Sequence, residues 1–379
     1  MIVKSDSEFP IPEVRQRLLS WFNQNKRSLP WRTSKDPYHI WLSEVILQQT
    51  RVDQGLPYFE RFIVRFPTVE DLASADLDEI LKLWEGLGYY SRARNLHKAA
   101  QQVVSSSEGI LPSTYDEWIL LPGIGPYTAA AISSIAFAEK RAVLDGNVMR
   151  VLSRIFAVES EISTSQGKRE LGELAELLLN PSDPGTHNEA MMEAGALICL
   201  PRNPTCHSCP FDKICVARSQ SRVHDFPVKR PSKKVPHYDI AVGIIRDENG
   251  RIFIQRRPED AMLGGLWEFP GGKRAESESL EEACLREIKE EIGVDVAIRN
   301  KWETINHAYS HFRISLHAFE CRVLAGDTPT TTLPSAWVAR EELSDYAFPR
   351  ANRRLLEMME SASAGTRDVE SDYHTQSTK

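Results

Sequence analysis

The sequence predicts a multi-domain chain, an all-α part followed by a smaller α/β domain. Three observations predict it. From about residue 11 to 220, apolar residues recur at three- and four-residue steps, as amphipathic helices require. After a Pro- and Lys/Arg-rich stretch, "RVHDFPVKRPSKKVPHYD", the period shortens to that of strands, with a hairpin signal at Asn249-Gly250. Where the helical part ends, "CLPRNPTCHSCPFDKIC" holds four of the six cysteines in seventeen positions.

The helical segments come in order: "VRQRLLSWF", "IWLSEVILQQTRVDQGLPYFERFIVRF", "LDEILKLW", "RARNLHKAAQQVV", "PYTAAAISSIAF" and "KRELGELAELLL", separated by short Pro/Gly/Asp breaks. They define a first domain over 1–221. The basic stretch 222–236 has linker composition. A second domain over 237–358 opens with two strands, "YDIAVGIIRDENGRIFIQRR", and contains a Glu-rich helix at 278–292. The polar tail 359–379 is expected to be unstructured.

Composition sets limits on function. Apolar content of 41% and charged content of 26% are ordinary for a globular protein. Runs such as "YDIAVGII" are too short to span a bilayer, and the N-terminus has no apolar signal core. The expectation is a cytoplasmic, DNA-associated bacterial monomer with no membrane partner, in a compartment where disulfides are rare. The net charge is −7, with 26 basic against 28 acidic residues up to position 230 and 20 against 25 beyond it. A nucleic-acid surface must therefore be a local basic stripe. Arg222, Lys229, Arg230, Lys233 and Lys234 either contribute to it or form a solvated linker.

The cysteine spacing is C-x6-C-x2-C-x5-C. Four thiolates so close suit a 4Fe–4S cube, whose irons each take one soft ligand, or a zinc ion, although zinc sites more often come as two close pairs. Free reduced thiols are the third reading. Upstream, "LPGIGPYTAAAI" places Gly123 and Gly125 in a tight turn before a helix that starts near Pro126. Such a turn leaves backbone N–H groups at a helix N-terminus open to a phosphate. By itself it is also an ordinary corner between two helices.

Taken together, the hairpin, "LDGNVMRVLSRI" (144–155) and the cysteine loop resemble the helix-hairpin-helix DNA glycosylases of the endonuclease III type. The resemblance implies a 4Fe–4S cluster on Cys199, Cys206, Cys209 and Cys215, with Arg202 and Lys213 presented to the DNA backbone. Members that also cut the strand carry a lysine just after the hairpin, whose amine forms a Schiff base. Here Tyr127 stands there, so the chain resembles monofunctional members. "WLSEVILQQTRV" and "WEGLGYYSRARNLH" are similar to the adenine DNA glycosylases, which remove adenine mispaired with 8-oxoguanine. The partner so implied is double-stranded DNA with A opposite 8-oxoguanine or G.

The chemistry of that reaction assigns roles. Adenine is a poor leaving group, so an acid must protonate a ring nitrogen as the glycosidic bond breaks. Glu44 lies in an apolar helical stretch, where desolvation would keep it protonated near neutral pH. A second carboxylate must stay ionised to face the oxocarbenium-like sugar. Asp145 is the candidate, with Asn147 and Tyr127 assisting. Asp145 also reads as a helix N-cap, and the two roles are compatible. The resemblance further implies DNA contacts by Arg32, Gln49, Thr50, Leu87, Tyr89, Gly123 and Gly125, with Tyr89 as a wedge beside the orphaned 8-oxoguanine.

"GKRAESESLEEACLREIKEEIGV" (272–294) fits the Nudix box, G-x5-E-x7-R-E-U-x-E-E-x-G-U, in full. The second domain is therefore expected to be an α/β/α sandwich of the Nudix type. Glu287, Glu290 and Glu291 share one helix face, and Mg2+ would relieve their repulsion. In adenine glycosylases such a domain reads 8-oxoguanine. "AYSHFRI" resembles the reading segment, which makes Ser310 and His311 candidates. The intact box keeps a second activity open, Mg2+-dependent pyrophosphate release from an oxidised nucleotide.

Overall fold

In the helix Ile11–Asn25, Ile11, Val14, Leu18 and Phe22 are buried at three- and four-residue steps. They form one core with Val151, Leu152 and Ile155 of helix Gly146–Ile155 and with Leu171, Leu174 and Leu178 of helix Ser165–Leu178. Phe211, from the cysteine loop, closes the same core. Helix Pro37–Leu47 is buried nearly all round, from Tyr38 to Ile46, and its start is fixed by Asp36, which accepts from the N–H of Tyr38 at 2.7 Å. Trp41 meets Trp118 edge to face at 5.4 Å.

The computed structural model describes residues 9–230, 235–309, 311–324 and 327–373, and the chain packs as two units. The first unit takes 1–75 and 95–232, and the second takes 76–94 and 233–379. Composition suggested consecutive domains with a boundary at 221; the packing instead threads residues 76–94 into the second unit. Helix Leu77–Leu83 and the turn after it are held there by polar contacts. Asp78 pairs with Arg256 at 2.7 Å, Lys82 donates to the Tyr346 carbonyl at 3.2 Å, and Glu85 accepts from the Phe348 N–H at 3.2 Å. Arg94 donates to the carbonyls of Glu259, at 3.1 Å, and Gly264. Such long-range pairs leave no periodic trace in sequence.

The expected linker is packed as far as Arg230. Phe226 is buried, Val228 accepts from the Ile162 N–H at 3.2 Å, and Arg222 and Arg230 pair with Glu159 and Glu161 at 2.9 and 2.8 Å. Lys233 and Lys234 lie outside the described residues.

In the second unit, the strand His237–Arg246 runs parallel to Arg313–Val323 and antiparallel to Ile252–Arg256 and Gly271–Lys273. Side chains alternate between its two faces. Ala241 and Ile245 meet Ala283, Cys284, Ile288 and Ile292 of helix Leu280–Ile292. Val242 and Ile244 meet Ala351, Leu355 and Leu356 of the last helix. Two helices on opposite faces of a mixed sheet make the α/β/α sandwich. Asn249-Gly250 forms the expected turn, with Gly250 at φ 78° and Asp247 accepting from the N–H groups of Asn249 and Arg251. The last helix, Arg350–Tyr373, continues past 359, where composition suggested an unstructured tail.

Candidate functional site

The end of helix Pro37–Leu47 and the helix Pro126–Phe137 bring Glu44 and Tyr127 together. Gly123, at φ 76°, turns the chain just before the second helix, and a Cβ there would lie 2.6 Å from Asn95 Cβ. Gly125 caps the second helix with no side-chain cap, and Pro126 opens its first turn. A Cβ on Gly125 would meet nothing within 4 Å, so the space beside the helix start is open. Still in the first turn, the Tyr127 hydroxyl donates to Glu44 Oε2 at 2.5 Å. Glu44 is only 9% exposed, and burial pushes its carboxyl up to about 7 against the pull of the Tyr127 hydroxyl.

Asp145 caps helix Gly146–Ile155 and shares the same cavity, of about 140 Å3, with Glu44 and Tyr127. Its Oδ1 accepts from the Val148 N–H at 2.6 Å and its Oδ2 from the Asn147 amide at 2.9 Å. Burial raises Asp145 as well, opposed by these donors and by Arg150. Both Asp145 oxygens carry donors, whereas Glu44 receives one hydrogen bond. Asp145 therefore ionises first and Glu44 keeps the proton. Asn147 is held in turn: Arg150 donates to its Oδ1 at 2.9 Å, to the Gly195 carbonyl at 2.7 Å and to the Cys199 carbonyl at 2.6 Å. Gly195 permits this close approach, because a Cβ there would lie 2.6 Å from Asn147 Cβ.

The far wall of the cavity is ionic. Arg32 donates to Glu189 at 2.8 Å and to Glu193 at 3.0 Å, and Arg27 donates to Glu193 at 2.7 Å. The two guanidiniums hold Glu193 down at about 2 despite its burial. Arg32 is thus a cavity wall with its charge matched by two carboxylates. Thr50 lines this cavity too. Gln49 lies just past the helix end, exposed, at φ 58°.

Cys199, Cys206, Cys209 and Cys215 are all half-buried and ring one apolar space, with Ile155 and Phe211 on its wall. Burial pushes the Cys209 thiol up to about 12, so the space by itself opposes thiolates and a cationic metal group would favour them. The one acid on that wall, Asp212, is paired with Arg218. Arg154 anchors the loop, donating to the Leu200 carbonyl at 2.7 Å with Cys199 Sγ at 3.3 Å. Four soft donors in an apolar setting fit an iron–sulfur group. Arg202 and Lys213 belong to this loop.

In the second unit, Leu87 and Tyr89 stand on a turn with Gly86 at φ 100°, Gly88 at φ 73° and Tyr89 itself at φ 49°. The Tyr89 ring meets the His311 ring edge to face at 6.5 Å. Both line a cavity of about 430 Å3, together with Leu87, Met262, Tyr309 and Arg350. Ser310 lies outside the described residues.

The Nudix glutamates do not stand together as free ligands. Arg286 bridges Glu287 at 2.9 Å, Glu290 at 3.1 Å and Glu278 at 2.6 Å. Glu291 accepts from Gln255 at 2.7 Å and from the Gly271 N–H at 3.0 Å. Among the described residues, no three His, Cys, Asp or Glu side chains are gathered closely enough for a single metal ion. The repulsion expected along this helix face is met by Arg286, itself a residue of the box.

Residues 42–177 match the model of the HhH-GPD superfamily base excision DNA repair proteins, and residues 241–358 match the NUDIX domain. The adenine DNA glycosylase of Homo sapiens is 34% identical over 94% of this chain and 76% of its own length. The chain belongs to the adenine DNA glycosylase family. A Buchnera aphidicola adenine DNA glycosylase is 33% identical over 81% of this chain and 86% of its own. A solved thermostable thymine-DNA glycosylase superposes on 55% of this chain and 97% of its own, at a TM-score of 0.51 and 30% identity. No helix among the described residues is long and apolar enough to cross a membrane.

For this glycosylase, sequence reasoning missed the ionic wall and the buried arginines. A signal was present. Glu189 and Glu193 stand four apart in "NEAMMEAG", an otherwise apolar helix, which is the pattern that singled out Glu44. Arg150 and Arg154 sit likewise in "NVMRVLSRI", and both are at most 8% exposed.

Proposed function

We propose that the chain excises adenine from duplex DNA in which it is mispaired with 8-oxoguanine or G, hydrolysing the N-glycosidic bond with no lyase step. The observation that carries this reading is the pair of unlike carboxyls in one cavity, Glu44 held protonated near neutral pH and Asp145 held ready to ionise. Glu44 gives its proton to a ring nitrogen of the flipped base as the bond to the sugar breaks. The Asp145 carboxylate faces the positive charge that develops on the sugar, and Asn147 keeps it aimed. Water adds to the sugar carbon, its hydroxide completing the abasic site, while its proton returns to the carboxylates. Tyr127 orients Glu44 and cannot form an imine, so the strand stays intact. Glu189 and Arg32 offer the base an acceptor and a donor on the wall.

The base left behind is read by Leu87, Tyr89 and His311, with Ser310. The hairpin at Gly123 and Gly125 takes a backbone phosphate. Cys199, Cys206, Cys209 and Cys215 would hold a 4Fe–4S cluster, which supplies a rigid cross-link to the loop that carries Arg202 and Lys213.

Single-turnover release of adenine from a duplex with A opposite 8-oxoguanine tests this reading. Glu44→Gln should retain duplex binding and lose at least a hundredfold in rate, the usual weight of a general acid. A near-normal rate in that variant removes Glu44 from the mechanism.

A further inference from the structure

The turn that carries Tyr89 is costly and needs a support. An aromatic residue in the left-handed region, next to two glycines also at positive φ, is a strained arrangement that persists only when its surroundings hold it. Arg92 supplies the hold from one turn further on. Its guanidinium lies 5.1 Å from the Trp84 ring centroid and 5.7 Å from that of Tyr89, so one cation is shared by two ring faces. Its Nη2 donates to the Gly88 carbonyl at 3.2 Å, and Trp84 Nε1 donates to the same oxygen at 3.0 Å. The Arg92 N–H donates to the Tyr89 carbonyl at 2.9 Å. Trp84 is fully buried and provides a fixed floor for this stack. Burial lowers Arg92 only to about 10, so the side chain is cationic at neutral pH.

We propose that Arg92 is the positioning residue for Tyr89, clamping the ring between a buried tryptophan and the reading cavity and thereby setting how strongly the glycosylase prefers 8-oxoguanine over guanine opposite its target. This rests on the function proposed above. The residues that line the cavity of Glu44 do not include Arg92; it acts through one side chain, and its loss should change preference more than chemistry.

The test measures single-turnover adenine release from A:8-oxoguanine and A:G duplexes, with melting temperatures for every variant. Arg92→Met keeps length and removes both the charge and the bond to Gly88. The ratio of the two rates should fall roughly tenfold, the size of one cation–π contact plus one hydrogen bond. Arg92→Lys, which keeps a cation over the rings, should recover part of that ratio. In a Tyr89→Ala background, Arg92→Met should have little further effect on the ratio, because residues acting as one unit are not additive. An unchanged ratio overturns the proposal. So does an equal fall on both duplexes that tracks the loss of melting temperature, or full additivity with Tyr89→Ala. An unmutated protein that releases no adenine from either duplex overturns the function reading and this proposal with it, and that result is read from the unmutated arm alone.

Discussion

Replacing Glu44 by glutamine should make the protein more stable at pH 8 than the unmutated chain, while abolishing its chemistry. Burial holds the Glu44 carboxyl at about 7 instead of its ordinary 4.5. Below pH 4.5, folded and unfolded chains both keep the proton, and the group costs nothing. Between 4.5 and 7 the unfolded chain releases its proton first, so folding stability falls as pH rises. Above 7 both are ionised, and the accumulated cost levels off at about 3 kcal/mol. Glutamine fills the same space, can accept the Tyr127 hydrogen bond and does not titrate. The stability advantage of Glu44→Gln should therefore grow by about 2 kcal/mol from pH 5 to pH 8, or roughly 4–8 °C in melting temperature for a unit of this size. Thermal unfolding of both proteins, followed by tryptophan fluorescence in matched buffers, measures it. A difference that stays flat with pH would falsify the picture of a carboxyl forced to hold its proton. A variant less stable than the unmutated protein at pH 8 would refute it as firmly.

Two further expectations concern the neighbouring groups. Tyr127→Lys places an amine beside Glu44 at the cavity wall, so borohydride should trap a covalent DNA complex with the variant and very little with the unmutated protein, since an imine needs a nitrogen nucleophile; efficient trapping by the unmutated protein would show that another lysine reaches the sugar. Cys206→Ser should lower the iron and sulfide content of the purified protein and weaken duplex binding, and elemental analysis giving zinc without iron would remove the cluster assignment.

What could be read in advance followed from local physics. Glu44 stood out because a carboxylate inside "WLSEVILQ" has no cheap way to stay charged, and that logic needs only the neighbours in sequence. The hairpin glycines, the Asp145 cap and the box helix are likewise short-range patterns. The strand alternation that divides Ala241 and Ile245 from Val242 and Ile244 is of the same kind. What stayed hidden depends on partners far apart in the chain. For Arg32 the resemblance implied only a DNA contact, because its acids, Glu189 and Glu193, lie more than 150 residues away.

The placement of residues 76–94 follows from the same limit and ties the two readings together. By sequence, "WEGLGYYSRARNLH" lies in the midst of the helical part, among helices that build the excision cavity. By packing, its first eleven residues belong with the unit that holds His311. Tyr89 and His311 are 222 positions apart in the sequence and still share a cavity wall, whereas Glu44, Tyr127 and Asp145 assemble within the first unit alone. Each of the two cavities is thus lined by side chains from a single unit. A defect in the Tyr89 turn should then alter which base is tolerated opposite the target while the carboxyl pair remains formed. A defect in Asn147 or Arg150 should do the reverse, because Asn147 holds Asp145 and Arg150 holds Asn147.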